Sequence, residues 1–205
     1  MYIKTIIAIL LAVFYTVDAV ADQNEAEVGK EAPDFTLTDS KGNTHSLSDF
    51  EGKVVVLEWI NFGCPFVKKH YDSDNMQKLQ EKYTEKDVVW LAVCSSAPGR
   101  QGHMSSGKIN EHAEEHDAGW TAYLIDENGA VGKKYGAKTT PHMYIVDTDG
   151  TLVYAGGIDD KPSTDKSDIP ESTNYVDEAL SEILSDDEVS KSVTKPYGCS
   201  VKYAK

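Results

Sequence analysis

The chain has 205 residues, 40% of them hydrophobic and 26% charged, which suits one soluble domain able to bury an ordinary core. Its formal net charge of -14 repels a nucleic-acid backbone or an anionic membrane surface, so neither is expected as a partner. Three cysteines are too few for a disulfide framework, and the odd count leaves at least one free thiol.

Met1–Lys4 is a short, weakly positive start and Ile6–Val17 an apolar run broken only by Tyr15 and Thr16. Ala19-Val20-Ala21 then supplies a small-residue cleavage signal. This is the plan of a secretory leader over 1–21, and it predicts an exported protein, periplasmic or extracellular. The apolar run is shorter than the ~20 residues that span a bilayer. No later segment is long and apolar enough to span, so no membrane attachment is expected once the leader is removed. A folded domain is expected over 22–185 and a tail over 186–205.

Within the domain, Asp34–Thr38 and Thr44–Leu47 flank the turn Asp39-Ser40-Lys41-Gly42-Asn43 and predict an N-terminal β hairpin. Lys53–Ile60 is β-branched and reads as a central strand. It runs into Asn61-Phe62-Gly63-Cys64-Pro65, after which an apolar stripe predicts one helix over Phe66–Tyr83. Val88–Cys94 is a second buried strand, and Ile109–His116 a polar helix with Ser105 or Ser106 as its cap. A strand at Thr121–Ile125, a short helix at Ala130–Tyr135, strands at Met143–Val146 and Thr151–Ala155 and a helix at Tyr175–Leu184 complete the order. Alternating strands and helices imply an α/β fold with a mostly parallel sheet covered on both faces, the late hairpin adding antiparallel edges.

Cys64 stands where the first central strand hands over to a helix. A thiol there meets the positive end of the helix dipole and free backbone N–H groups, which stabilise the thiolate and make it reactive. Lys68, Lys69 and His70 add positive charge if any of them turns toward the sulfur. Pro65 fits the first helical position, where its missing N–H costs nothing. Cys94, at the end of a buried strand, reads as a small core residue. Cys199 in the tail reads in three ways: a resolving thiol, a static disulfide partner of Cys64, or a free surface thiol. Thr139-Thr140-Pro141-His142 precedes a strand; a cis proline there presents a backbone edge on which a substrate chain can dock, whereas the local sequence alone favours the trans bond. His142 itself reads as a proton carrier or a surface residue, the second being favoured. His112 and His116 share a helix face but lack a third ligand, so a solvated face is expected and no metal.

Taken together, these segments resemble the thioredoxin superfamily. Cys64-Pro65-Phe66-Val67 after a hydrophobic strand and Thr140-Pro141 before a later one carry the resemblance. Gly29-Lys30-Glu31-Ala32-Pro33-Asp34-Phe35-Thr36-Leu37 resembles its redoxin branch, the alkyl hydroperoxide reductase and thiol-specific antioxidant proteins. Gly156-Gly157-Ile158-Asp159-Asp160 and Gly198-Cys199-Ser200-Val201-Lys202-Tyr203 look like a peroxiredoxin-like subgroup. The resemblance implies a thioredoxin-like fold with a central mixed sheet and a cis Thr140–Pro141 bond beside Cys64. It implies a thiol oxidoreductase without a cofactor. Cys64 and Cys199 would be its catalytic pair, with Thr140, Pro141, Pro65 and Phe66 contacting the substrate. That substrate would be a small peroxide or a protein disulfide, with electrons from a thiol donor. The alternative is a non-catalytic binding or redox-sensing module held by a structural Cys64–Cys199 link. Three departures stand out. Val67 occupies the second position of a Cys-x-x-Cys motif. Leu57 and Asn61 stand at the Pro and Thr positions of the peroxiredoxin motif. The single arginine, Arg100, lies in a loop after a neighbouring strand.

Overall fold

A computed structural model describes residues 25–205; the expected leader lies outside the described residues. The chain opens with the hairpin β1 (Thr36–Asp39) and β2 (Thr44–Ser46), followed by β3 (Val55–Trp59), α1 (Pro65–Tyr71), α2 (Asn75–Thr84) and β4 (Val89–Cys94). Next come α3 (Ser106–Glu115), β5 (Ala122–Ile125), α4 (Ala130–Lys134), β6 (Thr139–Thr140), β7 (His142–Val146) and β8 (Leu152–Gly156). α5 (Tyr175–Ile183) and β9 (Cys199–Ser200) finish the order. Seven strands form one mixed sheet in the order β2-β1-β5-β4-β3-β7-β8, and β6 pairs with β9 as a separate two-stranded unit. β3, β4 and β5 run parallel, but β1–β2, β1–β5, β3–β7 and β7–β8 are antiparallel, so the sheet is mixed and not mostly parallel as the alternation of elements suggested.

Every residue of β3 and β4 is buried because helices or loops cover both faces of the sheet. Val55, Leu57 and Trp59 enter one core with Leu91 and Val93. Val56 and Ile60 enter the other with Val67, Tyr71, Met76 and Trp90. Truncating a residue as enclosed as Leu57 to alanine costs about 2–5 kcal/mol by transfer and cavity terms. This rigid pair of central strands delivers Asn61–Cys64 to the carboxyl end of the sheet.

The single helix expected over Phe66–Tyr83 is instead broken after Tyr71. Ser73 turns its hydroxyl onto the Lys69 and His70 carbonyls at 2.7 and 3.3 Å, and Asp74 takes a left-handed φ of 58°. Short polar side chains compete with the helical ladder in this way. Gln77 of α2 donates to the Tyr71 carbonyl at 2.7 Å, so the break leaves that acceptor satisfied. Ser105 caps α3, one of the two residues expected to do so.

The C-terminal segment is docked. The Ser192 carbonyl accepts from the Ala155 N–H at 3.0 Å, and Thr194 N–H donates back to the Ala155 carbonyl at 3.2 Å. Farther on, β9 pairs with β6 in the register Thr139↔Ser200 and Thr140↔Cys199. Val201 N–H then reaches the Lys138 carbonyl at 3.1 Å, and Lys202 carbonyl receives the Ala97 N–H at 2.9 Å. Tyr203 donates to the Ala137 carbonyl at 2.8 Å and lies against Gly132, where any Cβ would come within 2.5 Å of its hydroxyl. Among the described residues no helix is long and apolar enough to cross a membrane.

Candidate active site

Cys64 is the N-cap residue of α1, in extended conformation, with Pro65 at the first helical position. Its N–H is held by the Asn61 carbonyl at 2.9 Å, and its side chain is fully buried. The thiol makes no capping bond to α1; it donates to the Thr140 carbonyl at 3.0 Å. The Thr140–Pro141 bond is cis, as the resemblance implied. Thr140 is 2% exposed, and its hydroxyl has no hydrogen-bond partner. The β6–β9 pairing sets Cys199 directly opposite Thr140 and thereby beside Cys64, and all three cysteines are free thiols. Phe66 meets the Tyr197 ring edge-on, with centroids 5.8 Å apart, while Pro65 is exposed and Pro141 buried. Cys64, Thr140 and Cys199 thus come together, Pro65 and Pro141 adjoin two of them in the chain, and Phe66 packs on Tyr197. Cys94 stays apart, 6% exposed, with its thiol on the Gly102 carbonyl at 3.5 Å.

The two neighbouring thiols are pushed in opposite directions. Burial drives the Cys64 pKa up, but the Cys199 thiol, the backbone N–H groups of Val67 and Cys199 and the Thr140 hydroxyl all favour its thiolate, and the balance falls below the ordinary value. Burial, followed by the adjacent Cys64, raises Cys199 to about 11. Cys64 therefore gives up its proton first, and Cys199 holds its own. The positive charge expected from α1 does not contribute. Lys68 is exposed, Lys69 points its buried ammonium at the Lys161 carbonyl at 3.0 Å, and burial pushes His70 down to about 3, leaving it neutral.

Asn61, at the threonine position of the peroxiredoxin motif, braces the loop. Its Oδ1 accepts from Gly63 N–H at 2.8 Å and its Nδ2 donates to the Gln101 carbonyl at 3.2 Å. Gln101 returns a hydrogen bond to the Gly63 carbonyl at 2.8 Å. Arg100 is exposed and, among the described residues, hydrogen-bonds to nothing near Cys64 through its side chain. The hydroxyl beside the Cys64 sulfur is that of Thr140.

The AhpC/TSA family profile matches residues 28–155, more than half of the chain. The chain belongs to the AhpC/TSA family. Among relatives, the thiol-disulfide oxidoreductase ResA of Bacillus thuringiensis subsp. konkukian is 29% identical over 131 residues, covering 64% of this chain and 70% of the relative. The crystal structure of an uncharacterized conserved protein from Geobacillus kaustophilus superposes with a TM-score of 0.72 at 31% identity, covering 88% of this chain and 94% of that one. The thioredoxin domain of a thiol-disulfide oxidoreductase from Bacteroides vulgatus gives a TM-score of 0.51 at 23% identity, covering 72% of this chain and 97% of that one. The fold is thioredoxin-like, a central mixed sheet flanked by helices.

In this AhpC/TSA family member, Cys64 and Thr140–Pro141 lie inside the matched segment and Cys199 lies beyond it. Two further groups went unread in the sequence. Glu58, on β3 six residues before Cys64, is fully buried and receives Tyr71 at 2.8 Å, Trp90 Nε1 at 2.8 Å and Gln80 at 3.1 Å. Burial outweighs these three donors and raises its pKa to about 7. A lone carboxylate inside a β-branched run was the available signal.

The second group ties down the tail. Asn75 donates to His70 Nδ1 at 2.8 Å, which fixes the neutral tautomer with the proton on Nε2. That proton faces the Tyr197 oxygen at 3.2 Å, and Tyr197 donates to Asp159. Asp159 is 2% exposed and also takes the Lys161 N–H at 2.9 Å, with the Lys69 ammonium 3.6 Å away. His70 and Lys69 thus position Tyr197, two residues before Cys199.

Two histidine expectations are corrected. His142 is buried, not on the surface: its Nδ1 accepts from Lys138 N–H at 3.3 Å and lies 3.0 Å from the Tyr144 hydroxyl, and burial lowers its pKa to about 4. The face carrying His112 and His116 is half-buried, because both rings stack on Phe62 at 5.0 and 5.7 Å. The two rings cover Phe62, which is itself 6% exposed.

Proposed function

We propose that this chain is an exported thiol oxidoreductase in which Cys64 is the nucleophile and Cys199 the resolving thiol. The observation that carries the reading is the Thr140↔Cys199 pairing, which sets a proton-holding thiol beside one that readily ionises. The Cys64 thiolate attacks one sulfur of a substrate disulfide, forming a mixed disulfide and expelling the other sulfur as a thiolate. That thiolate takes up a proton. Cys199 then loses its proton and attacks the Cys64 sulfur, releasing the second substrate thiol and leaving a Cys64–Cys199 disulfide. Two electrons pass from the protein to the substrate, and a thiol donor of the exported compartment restores the dithiol.

Disulfide exchange is favoured over peroxide reduction. The names of the relatives, thiol-disulfide oxidoreductases, support it, as do the engagement of the Asn61 side chain with Gly63 and Gln101 and the exposure of Arg100. A peroxide needs donors aimed at its departing oxygen. Export rests on the leader pattern at 1–21.

The full burial of Cys64 favours a second reading, a static Cys64–Cys199 link in a binding module. Variants separate the two. Under the catalytic reading Cys64→Ser abolishes turnover of a disulfide substrate and Cys199→Ser accumulates the mixed disulfide. Full turnover by Cys64→Ser, or an oxidised pair that mild reductant leaves intact, supports the static link instead.

A further inference from the structure

The reading of Cys64 as nucleophile leaves open what can reach it, and the docked tail supplies an answer. A polypeptide that presents a disulfide to a sulfur lying beside a strand edge binds by adding its own strand to that edge. The edge beside Cys64 is β6, whose Thr140 carbonyl receives the Cys64 thiol at 3.0 Å. That edge is already filled by β9, with Cys199 opposite Thr140, where an incoming chain would place its own cysteine. The fit is close: Gly198, at φ 138°, lies so near that any Cβ would stand 2.1 Å from the Thr140 carbonyl oxygen.

The filling strand is secured on both sides. Before it, Thr194 receives Gly157 N–H at 3.0 Å, and Tyr197 is bound by Asp159 and His70. After it, Val201, Lys202 and Tyr203 hydrogen-bond to Lys138, Ala97 and Ala137. Displacing the strand breaks this whole series, whereas a small molecule requires only a local parting of Cys199, which is half-buried, from Cys64. Resting on the nucleophile reading, we infer that the C-terminal segment is a built-in pseudo-substrate strand that reserves Cys64 for low-molecular-weight disulfides and closes it to polypeptide disulfides.

The test uses the full mature chain carrying Cys199→Ser, so that reaction stops at the Cys64 mixed disulfide. Two probes share the same leaving group: cystamine, and a short extended peptide whose single cysteine is joined to cysteamine. With the tail intact, cystamine reacts at least about tenfold faster than the peptide. Adding Gly198→Ala, which forces β9 off Thr140, or Tyr203→Ala, which removes the far anchor, speeds the peptide reaction by at least about tenfold and the cystamine reaction by no more than about threefold. Each variant is checked for a native thermal transition, and Tyr203→Ala serves if Gly198→Ala does not fold. Equal rates for the two probes with the tail intact, or equal acceleration of both on loosening it, overturn the pseudo-substrate strand while leaving the nucleophile in place. Failure of Cys64 to react with either probe in any variant overturns the nucleophile reading, and this inference with it.

Discussion

Thr140 and Cys199 face each other across the β6–β9 pair, and the Thr140 carbonyl also receives the Cys64 thiol at 3.0 Å. One residue therefore organises both sulfurs. Its backbone edge holds the tail cysteine, its carbonyl holds the Cys64 thiol, and its buried hydroxyl is free to turn to the thiolate once the proton leaves.

Thr140→Val keeps the shape and removes that hydroxyl. A hydrogen bond to a charged group contributes about 1.5–3 kcal/mol, so the Cys64 pKa should rise by at least about one unit. The midpoint of Cys64 alkylation against pH, followed by peptide mass, reads this directly. An unmoved midpoint means that the hydroxyl does not serve the thiolate.

Tyr197→Phe removes one hydroxyl from the Asn75–His70–Tyr197–Asp159 chain. It leaves the His70 Nε2 proton unpaired in a buried site and strips Asp159 of one donor. Stability should fall by about 1–3 kcal/mol, and Cys199 should alkylate faster as the tail loosens. A variant with unchanged melting and unchanged Cys199 reactivity would show that this network does not hold the tail.

Much of this arrangement was legible in the sequence. The β-branched runs that became β3 and β4, the cysteine at a strand-to-helix junction and the proline before β7 each carry a local signal. The break between α1 and α2 was not legible, because the apolar stripe continues through it while Ser73 and Asp74 divert the backbone. Tyr197, Asp159 and Lys69 are far apart in the chain, and each alone looks like a surface residue. His142 read as exposed for the same reason: its burial comes with its pairing to Trp59 on β3 and its contacts with Lys138 and Tyr144, which form only in the folded molecule.

Glu58 makes stability depend on pH in a definite direction. Its folded pKa of about 7 lies above its ordinary 4.5, so the folded state binds the extra proton between these values. Its contribution is complete below about 4.5 and is lost as pH rises through 7. His70 acts oppositely: with a folded pKa of about 3 against 6.5, its contribution is present above 6.5 and is lost as pH falls toward 3. Glu58→Gln should therefore remove a loss on the order of 3 kcal/mol between pH 4.5 and 7, making the melting temperature rise more steeply with pH there than in the parent. The same slope in both proteins would contradict a proton held on Glu58.

The central claim is that Cys64 and Cys199 act as a pair. The measurement that tests it most directly is oxidation of the fully reduced mature protein with a slight excess of cystamine, followed by intact mass and peptide mapping over time. The account predicts a transient cysteamine adduct on Cys64, then loss of two hydrogens relative to the reduced protein and a Cys64–Cys199 cross-link, with Cys94 still a free thiol. A stable adduct on Cys64 that never passes to Cys199, or a first adduct on Cys199, would contradict it.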